Sequence, residues 1–466
     1  MERVFFPALA LGIATHVVYN RYEPNSANTV IPVLFALPPA LVSLLNLPLS
    51  IANLSSSYFT FLTSLSLSIV IYRLSPFHPL AQYPGPVLCK ITELWTVWVA
   101  YTGYQHRYFK KLHDHYGPFV RTGPNELSII EPQTVSQILG VGGLDKGRYT
   151  DATQPPDAPR TVVTIWGEGH TAKRRVWNRA MTSASQRNYD PFLIRRARQL
   201  MSHLSTAADD AVDMVFWFEL FSLDLMGDLS FGGPFESMHQ GKDQDSLGER
   251  IHTFTWIFSI TGKIPWILPT LNLLPQVAKI TREANEYGRT LAIRRMKNGP
   301  GDAGSKDLFY HLADEAGVEN QRPTVEETAA DGIVAIIAAS DTTTSAMSSL
   351  VYFLLKHPKT FKLVLEELDR VFPDGDDEEA LCDFAKHQQL EYLTACINET
   401  LRLHPPLLSN GVPRELLEGQ PERIFGGLLI DATLSLNVHQ DNTSGHYRLY
   451  AELLNAAQPR PLLPTR

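Results

Sequence analysis

The chain has 466 residues and a formal net charge of -8. That balance disfavours nucleic acid as a partner, because phosphate backbones are bound by concentrated positive charge. Its three cysteines, Cys89, Cys382 and Cys396, exclude a disulfide framework, and none has the spacing of a structural zinc site.

No charged residue occurs between Val4 and Asn20, and after Arg21 and Glu23 none occurs until Arg73. A charge at the centre of a bilayer costs about 2.5–3.5 kcal/mol on insertion scales, so such gaps are informative. Val4–Tyr19, Val30–Ile51 and Tyr58–Tyr72 are the candidate spans, with Pro32, Pro38, Pro39 and Pro48 interrupting the middle one. The first could instead be a cleaved signal peptide, but it lacks a basic leader and a clean small-x-small site. Residues 1–75 are therefore expected to be a membrane anchor with up to three apolar segments. Ser75-Pro76, His78-Pro79 and Tyr83-Pro84-Gly85-Pro86 follow. Proline restricts itself and its predecessor, so this is either a stiff hinge or an ordinary linker.

The pattern predicts a helix over Thr96–His115 closed by Gly117, then a β-hairpin within Phe119–Ile130 around Gly123-Pro124-Asn125-Glu126. Helices dominate to about residue 405, with exposed loops at Asn298–Lys306 and Asp374–Glu379. The helix over Thr324–Leu355 is the most informative. Thr324 and Glu327 form a capping box, and Gly332–Ile337 is apolar nearly all round, as in a buried helix. Polarity then changes abruptly at Ala338-Ala339-Ser340-Asp341-Thr342-Thr343-Thr344-Ser345. An acid and threonines inside a buried helix are locally unfavourable. They could leave room for a ligand and carry a short proton relay through Asp341 and Thr342. Alternatively, a helix starts at Ser340 and the threonines cap it. Further on, Glu399 and Arg402 share one helix face at i and i+3 before Pro405 ends the helix.

Ala-Ala-Ser-Asp-Thr-Thr followed by Glu-Thr-Leu-Arg-Leu-His-Pro-Pro resembles the cytochrome P-450 family in its fungal, membrane-bound branch. The Tyr-Pro-Gly-Pro hinge and the hairpin are similar to that family's N-terminal parts. Ala339 stands where the family's oxygen-binding helix has glycine. The resemblance implies a mainly α fold with small β-sheets behind N-terminal transmembrane helices. It implies haem as cofactor, with Glu399 and Arg402 supporting the haem-side core. His170 and Arg174, at i and i+4 within Gly169–Trp177, would hold the haem propionates, as would Arg414; a solvated basic helix face is the alternative for the first two. An NADPH-dependent cytochrome P-450 reductase, a lipophilic substrate and the endoplasmic reticulum membrane, with the catalytic body facing the cytosol, complete the expectation.

The resemblance covers roughly residues 80–440 and then stops. The family's thiolate ligand sits in a Phe-x-x-Gly-x-x-x-Cys-x-Gly loop; no such loop is found, and Cys396 lies inside the support helix. Pro421-Glu422-Arg423-Ile424-Phe425 mimics a family element but follows Arg402 too closely, whereas Gly427–Val438 resembles a family strand. The expected division is an anchor over 1–75, an incomplete catalytic domain over 76–440 and an unmatched tail over 441–466. The expected function is haem-dependent monooxygenation of a lipophilic secondary metabolite such as a terpenoid. The alternative is an inactive, truncated membrane protein of that family. A membrane hydrolase is disfavoured, since no Gly-x-Ser-x-Gly elbow occurs.

Overall fold

The computed structural model describes residues 2–22, 27–140, 142–146, 150, 158–206, 211–243, 246–264, 270–271, 273–300, 304–373, 383–407, 412–416, 421, 423–425, 428–430 and 435–438. Cys382, Gly411, the loop at 374–379 and the tail at 441–466 lie outside these. The described residues fall into two compact units. One draws on residues 1–158, 258–280 and 409–439, the other on 159–257 and 281–408.

The first unit begins with α1 (Glu2–Tyr22), α2 (Ala27–Leu44) and α3 (Ile51–Leu74). Val4 and Ala8 of α1 and Val42 of α2 form a buried cluster against Leu41, Leu47 and Leu54. Helix α3 is long and apolar enough to cross a membrane, and Val30–Leu44 is a shorter apolar helix. The expected segment Val30–Ile51 is not one element. Its helix ends at Leu44, Asn46 takes a φ of 53°, and Ser50 caps α3 by accepting from the Asn53 amide at 3.3 Å. Pro32, Pro38 and Pro39 lie inside α2 rather than interrupting it. Proline at 39 removes the amide that would reach the Phe35 carbonyl. The Tyr58 hydroxyl donates to that carbonyl at 2.5 Å instead, and Ser57 Oγ donates to Pro38 O at 3.2 Å. A neighbouring helix thus satisfies the carbonyl that Pro39 leaves open.

The proline-rich connection is pinned by one buried cation. Arg121 is 1% exposed. Its Nη1 donates to Arg73 O at 3.0 Å, and its Nε and Nη2 donate to Pro124 O at 3.2 and 2.8 Å. Nη2 also lies 3.2 Å from His78 Nε2, while His78 Nδ1 accepts from the Leu80 amide. Burial, and then the Arg121 charge, lower the His78 pKa to about 4. These contacts favour the stiff hinge over an ordinary linker.

Short α4 (Val87–Ile91) leads to α5 (Leu94–Tyr101) and α6 (Gln105–Tyr116). One helix was expected over Thr96–His115. Gly103, at a φ of 75°, breaks it, because a left-handed residue cannot continue a right-handed helix. The hairpin forms as expected, from β1 (Phe119–Arg121) and β2 (Glu126–Ile129), and α7 (Pro132–Leu139) follows. Strands β3 (Arg414–Glu415), β4 (Arg423–Phe425), β5 (Leu428–Ile430) and β6 (Ser435–Val438) complete the unit. The main sheet runs β1-β2-β6-β3, with β2 and β6 parallel and Leu127 opposite Leu436. Those two leucines are buried with Leu80, Ile129, Ile138, Leu144 and Leu416. The stretch 427–438 therefore holds two strands, β5 pairing with β4 and β6 entering the main sheet.

The second unit contains α8 (Gly167–Ala180), α9 (Asp190–Thr206), α10 (Met214–Phe231), most of α11 (Leu247–Thr261) and of α12 (Pro275–Asn298), α13 (Leu308–Leu312), α14 (Val325–Lys356), α15 (Pro358–Val371) and α16 (Glu391–Leu403). Its core lies along α14. Leu223 and Phe231 of α10 pack with Ala329 and Ile336. Thr324 Oγ1 accepts from the Glu327 amide at 3.1 Å, and the Glu327 carboxylate accepts from the Thr324 amide at 2.9 Å, closing the predicted capping box. Helix α14 is also long and apolar enough to cross a membrane, and its N-terminal half packs on α10. Two buried bidentate ion pairs were not foreseen. Arg196 of α9 binds Asp228 of α10 at 2.7 and 2.8 Å, and Arg295 of α12 binds Asp307 at 2.7 and 2.9 Å.

Replacing Tyr58 by Phe removes the donor to Phe35 and should destabilise the α2–α3 contact by about 1 kcal/mol, the usual worth of an interhelical hydrogen bond in apolar surroundings. Thermal unfolding of the full chain in detergent checks this. An unchanged Tm would show that the carbonyl does not need Tyr58.

Candidate functional site

The polar notch lies within α14, which runs unbroken from its cap at Thr324 to Lys356. That excludes a helix start at Ser340. The Thr342 hydroxyl donates back to Ala338 O at 2.6 Å, as threonine does when it sits inside a helix. Thr344 is buried and ties the helix to α10, donating to Phe218 O at 3.2 Å with Ser222 Oγ at 3.3 Å. Ser340 Oγ is buried with no hydrogen-bond partner.

The Asp341 side chain is 39% exposed, and its Oδ1 lies 3.8 Å from His252 Nε2 on α11. The same nitrogen lies 3.2 Å from Glu219 Oε1 on α10. Burial raises the Glu219 pKa; His252 opposes this, while Asp243 and Asp341 add to it. No local pattern signals that His252 and Glu219 meet Asp341, because the three residues come from separate helices.

Helix α8 carries the predicted basic run, and the structure divides it. Lys173 turns inward to Asp331 Oδ2 of α14 at 2.9 Å, while Asp331 Oδ1 accepts the Val162 amide at 2.9 Å. Arg175 reaches Glu319 at 2.6 Å, and Arg179 pairs with Glu319 as well. His170 and Arg174, one turn apart, line a shallow groove together with Asn178, Thr182 and the two arginines that Glu319 holds, Arg175 and Arg179. The Lys173–Asp331 pair was missed, since 158 residues separate its members.

Arg414 belongs to the first unit, on β3. Its Nη1 makes a long 3.4 Å bond to Leu144 O, and its Nε is buried without a partner among the described residues. Burial lowers its pKa, with Asp145 opposing. On α16, Arg402 grips Glu399 through two parallel bonds of 2.7 and 2.6 Å, so the pair that their spacing allows is bidentate. Arg423, from the segment that mimics a family element, donates to Gly142 O at 2.9 Å.

Cys89 and Cys396 are buried, and burial pushes both thiols up to about 11. Cys89 lies 3.6 Å from the Tyr108 hydroxyl. Cys396 packs among Leu354, Val364, Leu350 and Phe361. Neither stands where a thiolate is stabilised.

A family model described as Cytochrome P450 matches residues 84–433. The chain belongs to the cytochrome P-450 family. A cytochrome P-450 monooxygenase of Fusarium pseudograminearum is 29% identical over 416 residues, covering 86% of this chain and 73% of that protein. Tryprostatin B 6-hydroxylase of Aspergillus fumigatus is 28% identical, covering 85% and 72% respectively. Trichothecene C-15 hydroxylase of Fusarium sporotrichioides is also 28% identical, covering 85% and 79%.

Family membership implies haem, and the chemistry of its donors can be tested against it. The orphaned Arg414 Nε suits an anionic acceptor, and the i, i+4 placement of His170 and Arg174 suits a carboxylate. Each of the two, taken in its own unit, has the donor chemistry that a propionate needs. The two described cysteines do not fit an axial thiolate.

Lys173→Met would leave Asp331 buried with only one partner. Removing one member of a buried pair costs about 3 kcal/mol or more, which should appear as a fall in Tm of roughly 6–12 °C. The double variant Lys173→Met/Asp331→Leu should recover much of it. A fall below about 2 °C for the single variant would mean that the pair is not structural.

Proposed function

We propose that the chain is a haem-dependent monooxygenase acting on a lipophilic small molecule of the secondary-metabolite class. The observation that carries this is the unbroken helix α14, along which the apolar run ending at Ile337 gives way to Ser340, Asp341 and Thr342. Two relatives, named as hydroxylases of tryprostatin B and of a trichothecene, support that substrate class, and a terpenoid is one example. Haem, when bound, supplies the redox chemistry. His170, Arg174 and Arg414 would hold its propionates, and Glu399 with Arg402 would brace the core.

The half-exposed Asp341 carboxylate can take a proton from water. The Thr342 hydroxyl, whose proton now goes to Ala338, must rotate to hand that proton inward. Residues 1–75 would anchor the protein in the endoplasmic reticulum membrane, with residues 76–440 forming the catalytic body on the cytosolic side. Electrons would come from NADPH through a cytochrome P-450 reductase.

A second reading is favoured by one observation: Cys89 and Cys396 are kept as buried thiols. It holds that the chain is inactive and binds a lipophile or a partner without chemistry. The reduced, CO-bound absorption spectrum of the full chain in haem-supplemented membranes separates the two. A thiolate-type Soret band supports the monooxygenase, and its loss in Cys89→Ala, Cys382→Ala or Cys396→Ala names which of the three cysteines is the ligand. Absence of the band supports the inactive chain. Where turnover is measured, Asp341→Asn should lower it about 10²-fold and enlarge the solvent isotope effect, the signature of lost proton delivery. Unchanged turnover would remove Asp341 from the relay.

A further inference from the structure

Three ionisable side chains of the first unit meet in a place that the candidate site does not use. Glu93 stands at the N-cap of α5, Glu126 opens β2, and Lys263 lies just past the end of α11. The Lys263 ammonium is 3.4 Å from both Glu126 carboxylate oxygens and sits over the Phe109 ring, 5.6 Å from its centroid. Thr122 Oγ1 donates to Glu126 Oε1 at 2.9 Å, and Thr96 Oγ1 to Glu93 Oε2 at 2.9 Å. The Lys263 and Glu126 side chains are only 8% and 9% exposed.

Gly123 brings the two acids together. A Cβ there would overlap the Glu93 carboxylate and crowd Glu126 Cβ, so a larger residue would push the hairpin turn away from α5. Arg73 at the end of α3 is the further cation that acts on Glu93. Cys89 of α4 and its partner Tyr108 of α6 flank the cluster; both acids act on the Cys89 thiol.

Two buried carboxylates against one close ammonium leave negative charge that low-dielectric surroundings do not tolerate, and such a pair keeps a proton. We propose that Glu93, Glu126 and Lys263 form a proton-dependent clasp, which holds the turn at 261–264 on the β1–β2 hairpin while Glu93 is protonated and loosens when it ionises. Burial first, and then Glu126, hold the Glu93 pKa at about 8, against Lys263, Thr96 and Arg73. A carboxyl whose folded pKa is raised in this way stabilises the fold fully below its ordinary value of 4.5. That stabilisation is lost as pH rises through about 8. The clasp is therefore closed in mild acid and open in mild base, and it depends in no way on the proposed catalysis.

Hydrogen exchange read by mass spectrometry on the full chain in lipid nanodiscs tests it. The peptide spanning residues 258–264 is followed at pH 6.5 and pH 9, with rates corrected for intrinsic exchange. In the unmodified protein its protection should fall about tenfold, as expected one pH unit above the midpoint. Glu93→Gln, which cannot ionise, should keep the pH 6.5 protection at both values. Lys263→Met should lose it at both, while peptides from α9 exchange normally and report an intact fold. A Glu93→Gln protein that loses protection with pH as the unmodified protein does would overturn the clasp. So would an unmodified protein whose protection does not change.

Discussion

Asp331 sits on the buried face of α14, ten residues ahead of the polar notch, and both of its oxygens are engaged by Lys173 and the Val162 amide. Much of the second unit follows from that carboxylate. A buried charge is tolerated only when it is paired and hydrogen-bonded, so Asp331 draws α8 against α14 at a fixed rotation. With Lys173 inside, the groove is lined by His170 and Arg174 together with Arg175 and Arg179, and the last two are held by Glu319. The roles of the basic run are thus assigned by which side chains find internal acids.

The same rule organises the other buried charges. Arg196 and Arg295 each take a carboxylate through two parallel bonds, and their planar forks make those pairs directional joints between helices. Arg121 differs, because its donors go to backbone carbonyls and to His78. Burial accordingly pulls its pKa down to about 10. It trades an acid partner for a hold on three successive chain segments between the apolar helices and the hairpin.

Local physics made several parts of this legible in advance. Thr324 and Glu327 announced the start of α14, since a capping box satisfies backbone amides within one turn. The i, i+3 spacing of Glu399 and Arg402 announced that they could pair, though not that the pair is bidentate. The alternation around Gly123–Glu126 announced the hairpin. Other readings failed where a distant group intervened. Pro32, Pro38 and Pro39 look like helix breakers until Tyr58 and Ser57 supply hydrogen bonds to the carbonyls of α2. The expected helix over Thr96–His115 divides at Gly103, which a continuous apolar pattern conceals.

The sequence by itself determined the family, the apolar N-terminal region, the capping box at Thr324 and the residue types of the candidate site. Each of these is written in composition, in caps or in contacts within a few residues. Only the tertiary structure decided that Lys173 faces inward and Arg174 outward, that His252 and Glu219 stand beside Asp341, and that Glu93, Glu126 and Lys263 share one buried cluster. Those outcomes depend on which charges are removed from water together, and that is fixed by helix packing between residues far apart in the chain.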